Sequence, residues 1–141
     1  PDLAAFCRSG GVPLAIVSNG LGFYIRALLD KYRVDGVRVV GVEARFAPRG
    51  LRYSYPYATP TCQEWGNCKC RVAQEYRQAG HPIWYMGDGR SDLCPASRAA
   101  DRVWARGPLL PLLRERGVPC QEFTDFWGVL KVLQDQEKQN D

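Results

Sequence analysis

The sequence has no stretch long enough to serve as a membrane span and no block of basic residues. Its longest apolar runs fall far short of the roughly 18–20 residues that a transmembrane helix needs. The net charge of +4 comes from arginines spread along the 141 residues, which does not predict a surface that follows a nucleic-acid backbone. The opening PDLAAFCRSGGVP lacks the pattern of a signal peptide. We therefore predict a cytoplasmic protein that contacts neither membrane nor nucleic acid.

Histidine is nearly absent, and the cysteines lack the spacing of a zinc ribbon. His81 is the single histidine, and Cys62, Cys68 and Cys70 cluster without a paired C-x2-C motif. A disulfide framework is typical of short secreted chains with weak cores, whereas 45% of these residues are hydrophobic. We expect reduced thiols in turns, and a metal site at the three clustered cysteines remains the alternative.

Two short, continuously apolar runs, LAIV at 14–17 and IWYM at 83–86, are typical of buried parallel strands. Further strands are predicted at 37–44, 51–57, 102–105 and 119–123, the first two forming a hairpin, and helices at 3–8, 21–32, 69–78, 91–100, 109–116 and 124–136. This alternation predicts an α/β fold, a three-layer sandwich with a mostly parallel sheet. We predict one core domain, 1–134, followed by a polar tail, 135–141.

Local patterns add expectations about these helices. Phe23, Leu28 and Leu29 recur at helical spacing and are predicted to face the core. Asp2 and Ser91 stand where side chains commonly cap the first turn of a helix, so both are predicted to be N-caps.

Polar residues follow the first apolar run, at the strand end where α/β proteins bind ligands. Ser18, Asn19 and Gly20 occupy this position, immediately before a predicted helix. A serine hydroxyl and exposed backbone N–H groups together form a cradle for an anion such as phosphate. The same three residues are also common in an ordinary turn, which is the alternative.

Two carboxylates follow the second apolar run in the sequence GDGRSD. Asp88 comes directly after the predicted strand, where burying a carboxylate is costly unless a cation pairs with it. Mg²⁺ prefers oxygen ligands, so Asp88 and Asp92 are predicted to be metal ligands. Alternatively, Asp92 lies in the first turn of a helix and caps backbone N–H groups there.

Lys69 begins a predicted helix at the end of the cysteine-rich segment. A helix N-terminus favours negative charge, so a lysine at this position is unfavourable unless an anion lies nearby. We predict that Lys69 and the helix N-terminus bind the same anion. A solvent-exposed lysine is the alternative.

The order of these motifs along the chain resembles that of the haloacid dehalogenase (HAD) superfamily. Ser18 in LAIVSNG matches the second motif of that family, Lys69 the third, and Asp88 and Asp92 in MGDGRSD the fourth. Within the superfamily the chain is similar to the branch of phosphoserine phosphatase and methylthiopentenyl-1-phosphate phosphatase. The hairpin GVEARFAPRGLRYSYPY and the segment TCQEWGNCKC carry that similarity.

The resemblance implies a Rossmannoid core and Mg²⁺-dependent hydrolysis of a phosphorylated small molecule. It assigns phosphate binding to Ser18, Asn19, Gly20 and Lys69, catalytic roles to Ser18 and Lys69, and the metal to Asp88 and Asp92.

The sequence departs from the family in having no Asp-x-Asp motif anywhere. In the family, the first aspartate of that motif attacks phosphorus and the second is the general acid and base. The motif lies on a central first strand, which a cap insert follows. The resemblance therefore implies a truncated core without its first strand, its nucleophile or its cap. Because the chain starts without Met and inside a predicted helix, we expect residue 1 not to be a natural N-terminus.

Two hypotheses follow from this departure. In the first, the chain is a Mg²⁺-dependent phosphatase in which another segment supplies the nucleophile or a water molecule replaces it. In the second, it is a non-catalytic module that binds phosphate or metal or acts as a scaffold. In either case the vacant strand position must be filled, and we expect rearrangement, a homo-oligomer or a strand-donating partner to fill it.

Overall fold

The computed structural model describes residues 1–62 and 66–140, with Asn140 described by its backbone alone. The chain divides into two compact units, residues 1–68 and residues 69–141. In the described residues no helix is both long and apolar enough to span a bilayer.

Helices and strands alternate along both units. The first unit contains α1 (Asp2–Ser9), β1 (Leu14–Leu21), α2 (Gly22–Lys31), β2 (Val37–Ala47) and β3 (Gly50–Ser54). The second contains α3 (Lys69–Gln78), β4 (Trp84–Gly87), a 3-10 turn (Arg90–Asp92), α4 (Leu93–Arg98), β5 (Arg102–Ala105), α5 (Leu109–Glu115), β6 (Gln121–Glu122) and α6 (Phe126–Asn140). The α/β class predicted from the sequence is confirmed.

The sheet of the first unit has the order β1-β2-β3. β1 runs parallel to the first half of β2, and β3 pairs antiparallel with the second half, so the predicted hairpin is present. β1 does not end at Val17 but continues to Leu21, with an irregular register between these two residues. Ser18, Asn19 and Gly20 therefore lie within this irregular part of the strand, so the expectation that they follow the end of the strand was wrong, and so was the alternative that they form a turn there.

Helix α2 approaches the sheet through its N-terminus. A Cβ added to Gly41 of β2 would lie 2.7 Å from the Cα of Gly22, so the two backbones touch at this point. Phe23 is 48% exposed and Leu28 is 39% exposed, which contradicts the prediction that they face the core, whereas Leu29 is half-buried. Helical spacing shows that apolar residues share a stripe, but burial requires a further layer over that stripe.

Helix α1 packs through small side chains. Ala4 and Cys7 are buried, and burial raises the pKa of the Cys7 thiol. The residue before the helix is Pro1, and no side chain caps its first turn. The prediction that Asp2 is the N-cap was therefore wrong: Asp2 lies one residue further on, in the first turn, where its charge favours the helix dipole.

The second unit is built on the parallel sheet β4-β5-β6. One core cluster joins β5 to helices α4 and α5, and its members are Ala96, Val103, Ala105, Leu109, Leu110 and Leu113. A second cluster packs α6 against Trp104 and Phe123 through Val129. The Asp125 carboxylate accepts hydrogen bonds from the backbone N–H of Trp127 at 2.9 Å and of Gly128, which stabilises the start of α6. α6 continues to Asn140, four residues beyond its predicted end.

Candidate functional site

A buried ion pair joins the starts of α3 and α4. The Lys69 ammonium lies 2.5 Å from one carboxylate oxygen of Asp92, and the two side chains are only 10% and 7% exposed. Lys69 is the first residue of α3, and Asp92 ends the 3-10 turn that leads into α4. The structure therefore brings two of the predicted site residues together, and the anion beside Lys69 is the carboxylate of Asp92.

Asp92 accepts four hydrogen bonds. One carboxylate oxygen binds Lys69 and the Tyr85 hydroxyl, which lies 2.6 Å away, and the other accepts the backbone N–H groups of Asp88 at 3.1 Å and Gly89 at 2.9 Å. Burial by itself would raise the pKa of Asp92, but the hydrogen bonds from Lys69, Tyr85 and Gly89 outweigh it and lower that pKa. Asp92 is therefore charged, and its four hydrogen bonds make it an anchor that holds Lys69, Tyr85 and the backbone at Asp88 and Gly89 together.

The glycine that precedes Asp88 makes room for this anchor. A Cβ added to Gly87 would lie 2.7 Å from the Cβ of Asp92, closer than real Cβ contacts occur. Gly107 has a φ of 52°, and an added Cβ there would lie 3.2 Å from the Asp88 carbonyl oxygen. That same oxygen accepts the backbone N–H of Leu109 at 3.3 Å. The backbone of the Gly-Asp-Gly segment is thus fixed from both sides.

The carboxylate of Asp88 differs from that of Asp92 in its exposure. Its side chain is 64% exposed, and one of its oxygens lies 3.8 Å from the guanidinium of Arg106. Asp88 therefore keeps carboxylate oxygens available for a ligand, whereas Asp92 would have to give up a hydrogen bond to bind a metal directly. The assignment of both aspartates to Mg²⁺ stays a prediction. No group of three or more His, Cys, Asp or Glu side chains suited to a metal occurs within residues 1–62 and 66–140.

Two participants in this cluster were not assigned to it from the sequence. The sequence pattern places Tyr85 in an apolar strand, yet its hydroxyl donates a hydrogen bond to Asp92, and burial together with that charge raises the pKa of Tyr85. Ser91 was predicted to be an N-cap, but Gly89 precedes the 3-10 turn and no side chain caps it. The Ser91 hydroxyl instead accepts a hydrogen bond from Lys69 at 3.1 Å. A tyrosine in an otherwise apolar strand is the signal that the sequence offered, since a buried hydroxyl needs a partner.

The other predicted phosphate-binding residues belong to the first unit. The Ser18 hydroxyl accepts the backbone N–H of Gly20 at 3.0 Å, so this N–H is directed at Ser18. The Asn19 side-chain oxygen accepts the backbone N–H of Asn67 at 3.0 Å. Asn67 in turn accepts the backbone N–H of Tyr57, while its own side-chain nitrogen is buried and has no hydrogen-bond partner among residues 1–62 and 66–140. Phosphate binding by Ser18, Asn19 and Gly20 stays a prediction.

The clustered cysteines span both units. Cys62 and Cys68 belong to the first unit, and Cys70 belongs to α3 in the second, where its sulfur lies 3.4 Å from that of Cys94. His81, the single histidine, packs edge-on against the ring of Tyr76 at a centroid distance of 6.4 Å. The part of the predicted cysteine-rich loop at residues 63–65 lies outside the described residues.

Comparison with known proteins gives relatives along nearly the whole chain. They include proteins named 2-hydroxy-3-keto-5-methylthiopentenyl-1-phosphate phosphatase from three bacteria, as follows. The protein from Geobacillus thermodenitrificans is 33% identical over 137 residues, which cover 94% of this chain and 60% of that protein. The protein from Geobacillus kaustophilus is 32% identical over 140 residues, covering 96% and 62%. The protein from Exiguobacterium sibiricum is 28% identical over 137 residues, also covering 96% and 62%.

The chain thus spans about 60% of the length of the curated relatives it matches. The family described as haloacid dehalogenase-like hydrolase matches residues 1–97, the range that contains Ser18, Lys69, Asp88 and Asp92. The resemblance drawn from the sequence and the HAD-like α/β fold are therefore confirmed, whereas the missing first strand stays a prediction. On these grounds the chain belongs to the haloacid dehalogenase-like hydrolase family.

Proposed function

We propose that the chain is the phosphate- and Mg²⁺-binding part of a HAD-type phosphomonoester phosphatase, acting in the cytoplasm on a phosphorylated small molecule. The observation that carries this proposal is the buried pair of Lys69 and Asp92 beside the exposed carboxylate of Asp88. The names of the relatives support a phosphorylated substrate. The 141 residues contain no Asp-x-Asp motif that could supply the family's nucleophile, so we propose that these residues bind phosphate without covalent turnover.

Lys69 is held so that part of its ammonium can serve a ligand. An ammonium group has three N–H donors, and two of those of Lys69 are directed at Asp92 and Ser91. The third is left for a phosphate oxygen, which the positive charge would attract. Asp92 acts here as a positioning residue because it sets the direction of the lysine. Phosphate binding by Ser18, Asn19 and Gly20 of the first unit is proposed on the family resemblance alone.

The donor set suits Mg²⁺ through Asp88. Mg²⁺ usually keeps several waters and binds one or two carboxylates together with substrate phosphate oxygens. The exposed carboxylate of Asp88 meets this requirement, and Asp92 contributes by accepting the Asp88 backbone N–H. A bound Mg²⁺ would offset the negative charge of the phosphoryl group. The carboxylate of Asp88 would hold the ion, and Arg106 would have to release its contact with that carboxylate.

Binding is tested separately from turnover. Titration of the 141-residue chain with inorganic phosphate in the presence of Mg²⁺, followed by calorimetry, should give heat that the Lys69→Gln variant loses. Lys131, an exposed lysine of α6, provides the matched control Lys131→Gln, which should bind as the parent does. Equal binding by both variants would contradict the role of Lys69.

The metal is tested in the same way. Titration of the chain with Mg²⁺ alone should give a binding signal that Asp88→Asn removes and that Asp135→Asn, at an exposed aspartate of α6, leaves unchanged. Hydrolysis of p-nitrophenyl phosphate with Mg²⁺ is the second readout, with the full-length Geobacillus kaustophilus phosphatase as the positive control. We expect no turnover above the Asp88→Asn background. Turnover that Asp88→Asn abolishes would mean that another group replaces the missing nucleophile.

The second candidate is a non-catalytic module that binds phosphate or metal or acts as a scaffold, derived from the same family. The carboxylate of Asp92 favours it, because that group accepts four hydrogen bonds and would have to give one up to bind a metal directly. A separate fragment carrying Asp-x-Asp-x-Thr is added to the chain. If phosphate still binds but is not hydrolysed, the result would support the non-catalytic module. Turnover restored by that fragment would support the phosphatase.

We also propose that the half-exposed strand β1, which pairs with β2 alone among the described strands, is completed by a second copy of the chain or by a strand-donating partner. Light scattering during size-exclusion chromatography measures the mass in solution. A monomer of 15.9 kDa would exclude the homo-oligomer.

A further inference from the structure

Two cysteines lie face to face beside the Lys69–Asp92 pair. The sulfur of Cys70 lies 3.4 Å from that of Cys94, in the geometry of a thiol hydrogen bond. Cys70 is the second residue of α3, and Cys94 is the second residue of α4. A disulfide bond has a sulfur–sulfur distance of about 2.05 Å, so the two atoms need to approach by only about 1.4 Å.

Residues next to the two cysteines in the sequence are held together by hydrogen bonds. The residue before Cys70 is Lys69, whose ammonium binds Ser91 and Asp92, and Asp92 precedes Cys94 by two positions. A buried ion pair therefore already joins the start of α3 to the residue that precedes α4. Both cysteines are partly exposed, so a small oxidant in solution reaches them.

We propose that Cys70 and Cys94 form a reversible disulfide, and that hydroperoxides are the chemical class that oxidises them. In the first step, one thiol is oxidised to a sulfenic acid while the peroxide O–O bond breaks and one water is released when hydrogen peroxide is the oxidant. In the second step, the other sulfur attacks the sulfenic sulfur, the S–O bond breaks and a second water leaves. Two thiols thus lose two hydrogens, and a dithiol reductant restores them.

The crosslink would have a defined effect on the chain. It would tie the first turn of α3 to that of α4 and close a loop that contains all of β4 and both Asp88 and Asp92. Lys69 would then be held beside Asp92 by a covalent bond as well as by the ion pair. This proposal does not depend on the proposed function, since the disulfide can form whether or not the chain binds phosphate.

Trypsin separates the relevant cysteines. It cleaves after Arg52, Lys69, Arg71, Arg90 and Arg98, which places Cys70 in the dipeptide 70–71, Cys94 in the peptide 91–98, and Cys62 with Cys68 in the peptide 53–69. The native chain is treated with hydrogen peroxide, the remaining thiols are blocked with iodoacetamide, and the digest is analysed without reduction. We expect a peptide that joins 70–71 to 91–98, the loss of two of the six thiols, and full reversal by dithiothreitol.

Three controls make the result decisive. Cys94→Ser should abolish the linked peptide, and Cys120→Ser should leave it unchanged. Oxidation of the parent chain in 8 M urea should form the link at least about tenfold more slowly, because the folded contact raises the effective concentration of the two thiols. A link from 70–71 to 53–69, single-cysteine oxidation without any crosslink, or equal rates in urea and buffer would each overturn the proposal.

Discussion

The two units of this chain use similar sequence patterns but bury them to different degrees. In the second unit, Leu109 and Leu113 are fully buried, and two core clusters hold its sheet against α4, α5 and α6. In the first unit, every residue of β1 is partly or fully exposed, and Phe23, Tyr24 and Leu28 of α2 are exposed. The difference teaches that an apolar run or stripe predicts an element correctly without showing whether another layer covers it.

The polar groups of the two units differ in the same way as their apolar residues. Lys69, Asp92, Tyr85 and Ser91 form a cluster whose polar groups bind one another within the better-packed unit. In the first unit, the side-chain nitrogen of Asn67 is buried with no hydrogen-bond partner in the described part of the chain, and an unsatisfied buried donor is costly. We therefore expect substitutions in the second unit to cost more stability than equivalent substitutions in the first.

Asp92→Asn should have the largest effect on stability. It leaves the 10%-exposed ammonium of Lys69 without its counter-charge, and breaking a buried ion pair in this way costs about 3–5 kcal/mol. Urea unfolding followed by circular dichroism measures the change. Asp101→Asn is the matched control. Asp101 pairs with Arg77 at the surface, so this variant should lose far less free energy of unfolding than Asp92→Asn. Equal losses would mean that the buried pair is not an anchor.

Leu113→Ala should be next, at about 2–5 kcal/mol, because it opens a cavity in the core of α5 and β5. Leu28→Ala removes the same atoms from a 39%-exposed position of α2 and should change the free energy of unfolding by about 0.5 kcal/mol. The pair tests the comparison of the two units directly. A Leu28→Ala loss as large as that of Leu113→Ala, measured by the same unfolding experiment, would indicate that another chain or segment covers α2 in solution.

Gly87→Ala should destabilise by about 1–3 kcal/mol, because the added methyl meets Asp92 at 2.7 Å and displaces it. A Cβ added to Gly128, in the first turn of α6, would have no atom within 4 Å apart from its own helix backbone, and alanine is favoured over glycine in a helix by up to about 1 kcal/mol. The midpoint of thermal unfolding should therefore fall for the first variant and rise for the second. A neutral Gly87→Ala would show that Asp92 has room to move.

Protonation of Asp92 at low pH should also reduce the free energy of unfolding, by less than the substitutions above do. Its pKa is lowered in the folded chain, so below the unfolded value of about 3.9 the unfolded chain binds a proton before the folded chain does. The stability that Asp92 contributes is present above about pH 4 and is lost as the pH falls through its folded pKa, at no more than about 1.4 kcal/mol per pH unit. Urea unfolding between pH 2 and 7 should show a shallower acid loss for Asp92→Asn than for the parent chain.

The sequence predicted the elements of the site better than their contacts. The apolar run IWYM at 83–86 predicts β4 to within one residue, and Lys69 does begin a helix. Both predictions succeed because apolar runs and helix starts are properties of the local sequence. The partners of Lys69 could not be read in the same way, since Ser91 and Asp92 are more than twenty residues away along the chain. The sequence favours an N-cap role for Ser91 because serine commonly caps the first turn of its own helix. The strand path through Ser18 was missed because an irregular register has no clear local signature.

The long strand β2 has a consequence for hydrogen exchange. It pairs with β1 from Val37 to Val42 and with β3 from Glu43 to Ala47, so its partner changes partway along a single strand. Successive backbone N–H groups of a strand point to opposite edges, and β1 and β3 lie on opposite edges of β2. Slow exchange should therefore alternate from residue to residue, and the alternation should shift its phase near Val42. The change from parallel to antiparallel pairing should thus appear as two successive residues near Val42 that depart from the alternation of slow and fast amide exchange. This measurement needs no ligand.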